Sequence, residues 1–203
     1  RAKRSFDDSD TTYFFDLLYT AEFILKLSTA SMLAAIQDDR EGHRYRLMHR
    51  LVRADGIGEW SSALDEALVG PASQNLAPAA QEDQRAYTER VDASRWQHEA
   101  TRLLIEAAAI FSINTEMTTE KISLRTWYNL FPQFRNKTRG HGSPTGERCA
   151  AASKLLSKSI ELINSNHPTF SRDWAYLHRN LSGKYRVVPL QHTATKFDAL
   201  KSS

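Results

Sequence analysis

Apolar residues recur at helical spacing along most of this chain. Phe14, Leu17, Leu18, Ala21, Leu25, Met32 and Ile36 predict one long helix from about Thr12 to Ile36, with Asp10 or Thr11 as its cap. Apolar side chains surround much of its circumference, which marks a central helix. A shorter, basic helix follows from about Asp39 to Ala54, weakened in its first turn by Gly42. Arg46, Arg50 and Arg53 share one face of it, beside Leu47 and Leu51. That face reads either as solvated surface or as a phosphate-facing stripe. Gly56 and Gly58 break the chain, and Ile57, Trp60, Leu64 and Leu68 mark a third amphipathic helix. "GPASQNLAPAA" (70–80) is a loop. A long helix is predicted from about Gln81 to Asn114.

Leu124, Trp127, Phe131 and Phe134 fit one face of the next helix, but Pro132 falls inside it. A proline there removes a backbone donor, so a kink at 130–132 or a new helix at Pro132 is expected. Gly140 and Gly142 end that helix. Ser143-Pro144 reads as the N-cap and first residue of another, which runs to about Asn164. Beyond it lie a short helix around 171–180, a turn at Ser182-Gly183 and one strand over Tyr185–Val188. A lone strand would pair with another subunit or a further domain. The expected organisation is a polar arm (1–10), an all-α bundle (11–165) and an extension (166–203) with one short helix and one strand.

Composition fits this layout. A chain of 203 residues suits one domain, or a domain with an appendage. Only 8 Gly and 6 Pro weigh against a turn-rich all-β fold. Cys149, the single cysteine, rules out a disulfide framework and a cysteine-rich zinc site, and suggests a reducing, cytoplasmic setting. No histidine spacing suggests a metal site, and no phosphate-binding glycine loop appears, so no cofactor is expected. No membrane partner is expected either, since no run of 18 apolar residues and no leader pattern is present. The first residue is Arg1, which suggests a piece of a longer protein with further domains or a regulatory partner.

The net charge of +3 says little, but its distribution says more. Between Lys121 and Lys158 there are eight cations, and Glu147 is the only acid. A basic, folded segment is the footprint expected for a phosphate-rich partner, although a solvated basic face has the same composition.

Within this segment lies "FRNKTRGHG" (134–142). Arg135 is placed at one helix end and His141 in the turn before the next. A helix N-terminus there would offer unpaired N–H groups and partial positive charge to an RNA phosphate. Histidine moves protons near neutral pH, and a guanidinium suits the charge of a phosphorane-like transition state.

"RNKTRGH" resembles the R-[N/D/H]-x4-H motif of the HEPN superfamily, helical bundles that carry it at the junction of their last two core helices. The resemblance implies that Arg135, Asn136 and His141 are the catalytic residues of a metal-independent endoribonuclease. It implies a homodimer in which two copies of the motif build one RNA-cleaving cleft, and a role in prokaryotic antiviral defence or a toxin system. In that picture His141 handles protons, Arg135 handles phosphate charge and Asn136 orients the pair.

The Arg-to-His spacing alone has little specificity. An Arg followed by a His four to six positions later also occurs at Arg44/His49, Arg172/His178 and Arg186/His192. Asn136, the helix–glycine–helix junction and the acid-poor surroundings single out 135–141, and Arg172/His178, with Asp173 in second place, comes next. Lys137 and Arg139 are RNA-backbone candidates or plain helix-end cations. Asn114 and Glu116 could face the same cleft or simply end a helix. Cys149 lies among small helical residues and reads as a packed thiol. Trp96, Trp127 and Trp174 could stack on bases, but such spacing more often means core. Two rival readings remain. One is a non-catalytic HEPN module that binds nucleotide or RNA, or mediates dimerisation, within a larger signalling or defence protein. The other is a helical adaptor in which 134–142 is a structural turn.

Overall fold

The structure is a computed structural model that describes residues 9–37, 40–113, 115, 120–140, 144–172, 174–179 and 185–189. Within them the fold is all-α. Helix α1 spans Asp10–Ala34, α2 His43–Val52, α3 Ile57–Val69, α4 Gln81–Thr88, α5 Trp96–Ile110, α6 Leu124–Gly140 and α7 Gly146–Asn166. A single turn, α8 (Pro168–Ser171), leads into strands β1 (Ala175–Arg179) and β2 (Tyr185–Pro189).

α1 is the central helix, with Phe14, Leu18, Ala21, Leu25 and Met32 fully buried. It begins at Asp10, capped by Ser9 and not by Asp10 or Thr11: the Ser9 hydroxyl accepts from the Thr12 N–H at 3.1 Å. α5 and α7 pack along each other. The Ser159 hydroxyl links them by donating to the Ala100 carbonyl at 2.7 Å and accepting from Trp127 Nε1 at 2.8 Å. Phe14, Phe111 and Phe134 meet ring to ring with centroids 5.5–6.0 Å apart, tying α1 and α6 to the end of α5.

Several further sequence expectations need correcting. The predicted 81–114 helix is two helices. Between α4 and α5 the chain turns extended at Glu89, and Val91 and Ile122 exchange backbone hydrogen bonds of 3.0 Å. Arg90 also donates to the Lys121 carbonyl at 3.0 Å. This pairing satisfies the backbone groups that an uninterrupted helix would have used internally.

Of the two expectations for Pro132, the new helix does not form: α6 runs as one helix through it. The proline leaves the Tyr128 carbonyl, four residues back, without its helical donor. Ser61 of α3 supplies the replacement, donating from its hydroxyl to that carbonyl at 2.9 Å. The next helix is capped by Thr145, whose Oγ1 accepts from the Arg148 N–H, so Pro144 precedes the cap and is not the first helical residue. Ser143 lies outside the described residues.

The expected helix at 171–180 ends at Ser171, and 175–179 is a strand. It pairs antiparallel with Tyr185–Pro189, with Ala175 opposite Pro189 and Arg179 opposite Tyr185. The strand predicted to need an outside partner therefore finds one in its own chain. The predicted turn at Ser182-Gly183 lies outside the described residues. The extension is fastened to the bundle by Arg172, which grips the buried Asp83 of α4 with contacts of 2.7 and 3.0 Å. Trp174 adds a hydrogen bond from its indole N–H to the Thr169 carbonyl at 3.0 Å.

Candidate functional site

The last three turns of α6 have two faces. Phe131, Phe134 and Thr138 point inward, and the Thr138 hydroxyl donates to the Phe134 carbonyl at 2.9 Å. Buried aromatics thus fix the helix, and Arg135, Asn136, Lys137 and Arg139 lie at or near the surface.

Arg135 does not stand alone. Its Nε donates to the Glu22 carboxylate of α1 at 2.5 Å, and its Nη1 donates to Asn136 Oδ1 at 3.2 Å. Arg139 approaches the same carboxylate at 3.7 Å. It also donates to the Tyr19 hydroxyl at 3.0 Å and lies over the Tyr19 ring, 4.9 Å from its centroid. The Glu22 side chain is only 12% exposed and that of Arg135 25%, so this charge cluster is held close to the protein surface. With Nε on Glu22 and one Nη1 hydrogen on Asn136, Nη2 and the second Nη1 hydrogen are the part of the Arg135 fork left to meet an anion.

The sequence pointed to Arg135, Asn136, Lys137 and Arg139, and the fold keeps all four on the end of one helix. Lys137 is exposed and carries no ion pair among the described residues. His141, one residue past the end of α6, lies outside the described residues, as do Asn114 and Glu116. Glu22 is the residue that sequence reasoning missed. Its signal was present: it is the only acid between Leu17 and Gln37, and Lys26 is the only other charged residue in that stretch.

The acid-poor character of 121–158 also changes in three dimensions. Asp65 of α3 pairs with Arg125 at 2.5 and 2.9 Å, Glu22 with Arg135 and Arg139, and Glu99 of α5 with Lys158 at 3.8 Å. The Arg125 guanidinium holds the Asp65 carboxyl below its ordinary range. Among the described residues, acids on other helices therefore meet Arg125, Arg135, Arg139 and Lys158, cations that looked unopposed along the chain.

The remaining candidates separate clearly. Arg172, of the second Arg/His pair, is the latch on Asp83, and the His178 side chain lies outside the described residues. Burial pushes the Asp83 carboxyl up against the pull of Arg172. Cys149 is buried and its thiol is pushed up by desolvation, as expected for a packed cysteine rather than a nucleophile. Trp127 is fully buried and cannot meet a base. His167 is a buried histidine that the sequence did not single out. Its Nδ1 accepts from the Thr169 N–H at 3.2 Å, and burial, helped by nearby Arg172, lowers it to about 3. It is a neutral core residue packed 4.1 Å, centroid to centroid, from Tyr87. Among the described residues no three His, Cys, Asp or Glu side chains gather as a metal site.

Compared with known proteins, the chain matches no family model, no curated protein and no solved structure.

Proposed function

We propose that this chain is a HEPN-type endoribonuclease domain whose site is built around Arg135, Asn136 and His141. The observation that carries the reading is the cluster at the end of α6, where Glu22 holds Arg135 by Nε and Asn136 braces Nη1. A guanidinium pinned on one edge presents its other edge in a fixed direction, as charge stabilisation of a transition state requires. Arg139 and Lys137 add positive charge along the same helix end.

In the proposed reaction an RNA 2′-OH attacks the adjacent phosphorus and the bond to the 5′-oxygen breaks. The products are a 2′,3′-cyclic phosphate and a 5′-OH. The 2′-OH loses a proton and the departing oxygen gains one, and His141 serves these transfers. Arg135 takes the charge that builds on the non-bridging oxygens. The step needs no metal, and two protomers would face each other across the substrate. A prokaryotic defence or toxin role, in the cytoplasm, belongs to the same proposal.

The test incubates the protein with labelled RNA in EDTA, beside Arg135→Ala and His141→Ala. The reading expects cleavage that survives EDTA and disappears in both variants. RNA binding without cleavage would instead support a non-catalytic binding or dimerisation module. The exposed aromatic pair Tyr19 and Phe23 on α1, next to the arginine cluster, is the observation that favours that second reading.

A further inference from the structure

The basic helix α2 has an unusual cross-section. It turns only His43 and Leu47 into the protein. Its solvent side carries Tyr45, Met48 and Val52, which are 75%, 48% and 87% exposed. Their i, i+3, i+7 spacing makes one apolar crest aimed away from the core. Arg46, Arg50 and Arg53 run along one flank of that crest, and Arg44 lies on the other. The Arg50 and Arg53 side chains make no ion pair among the described residues.

Beside the crest an apolar groove of about 300 Å³ opens between α1, α2 and α3. Ala30, Leu33, Met48, Leu51, Val52 and Trp60 line it, together with Arg44, which donates to the Ile36 carbonyl at 3.5 Å. An apolar slot with a guanidinium at its wall matches a chain that is greasy at one end and anionic at the other.

We propose that α2 is a peripheral docking surface for an anionic phospholipid bilayer. The crest enters the headgroup boundary, the flanking arginines meet lipid phosphates and carboxylates, and the groove accepts part of an acyl chain. Charge complementarity selects this occupant. RNA would engage the arginines and the Tyr45 ring but gives Met48 and Val52 nothing to bury against. A second copy of α2 would bring two arginine rows together, and His43–Val52 itself carries no acid to separate them. Sequence reasoning looked for a helix that crosses a membrane, whereas this one lies on it and needs no apolar span. The proposal stands independently of the ribonuclease reading.

The experiment floats the full chain with vesicles of phosphatidylcholine alone or mixed with phosphatidylserine. Binding is expected only when phosphatidylserine is present. Arg50→Ala and Arg53→Ala should each weaken it about five-fold, and Val52→Asp should abolish it. All three positions are exposed, and an unchanged circular dichroism spectrum confirms folding. Brominated acyl chains should quench a component of the tryptophan emission that Trp60→Phe removes. Three results would overturn the proposal: no vesicle binding, equal binding to both vesicle types, or full binding by Val52→Asp. Loss of RNA binding in the arginine variants, without vesicle binding by the parent, would identify α2 as a nucleic-acid surface instead.

Discussion

The Glu22 carboxylate lies 2.5 Å from Arg135 Nε, joining residues 113 positions apart in the chain. Both side chains are mostly covered, so solvent screens the pair less than an exposed surface contact. A double-mutant cycle of Glu22→Gln and Arg135→Gln in urea should return a coupling of about 1–2 kcal/mol. A coupling near zero would mean that Glu22 does not hold Arg135. In RNA cleavage Glu22→Gln should lower kcat more than it changes KM, because an unpinned guanidinium still attracts RNA but no longer meets the transition state in a fixed pose.

Arg135→Lys keeps the charge and loses the fork. If Arg135 stabilises the phosphorane-like state, cleavage by this variant should fall roughly 100-fold or more, with folding intact. RNA affinity at low salt should change far less. A lysine variant as active as the parent would reduce the role of Arg135 to simple electrostatic attraction.

Ser61 and Pro132 form a compensating pair through the Tyr128 carbonyl. Ser61→Ala should cost about 1–3 kcal/mol, since it leaves a buried acceptor unmet. In a Pro132→Ala background the same change should cost less, because residue 132 then supplies the missing N–H. Chemical unfolding of the four proteins measures the difference, and equal costs in both backgrounds would contradict the assignment.

His167 makes stability depend on pH. Its folded value of about 3 lies below its ordinary value, so folding favours the neutral ring. The sign follows from linkage: this contribution is complete above about pH 6.5 and is lost as pH falls toward 3. Over that window each pH unit should remove about 1.4 kcal/mol through this one group. Urea unfolding at a series of pH values should show a shallower loss in His167→Phe than in the parent. Parallel slopes would mean that other groups dominate.

Much of the fold was legible in the chain. The apolar spacing from Phe14 to Ile36 and from Leu124 to Phe134 gave helices close to their observed bounds, since a repeat near 3.6 residues is a local property. The cap at Ser9, the break at 89–95 and strand β1 were less legible. The first is a choice among adjacent polar residues. The second depends on Ile122 offering Val91 a partner 31 positions away, and the third on β2 supplying the ladder.

The sequence by itself determined which residues carry the candidate chemistry. Arg135, Asn136, Lys137 and Arg139 sit on one helix end because helical periodicity puts Phe131, Phe134 and Thr138 inside. Only the tertiary structure decided what those cations face. Glu22, Asp65 and Glu99 reach the basic segment from three other helices, and Ser61 lets α6 continue past Pro132 toward the site. Periodicity acts over a few residues and can be read along the chain. An ion pair between helices or a borrowed hydrogen bond forms between residues that only folding makes neighbours.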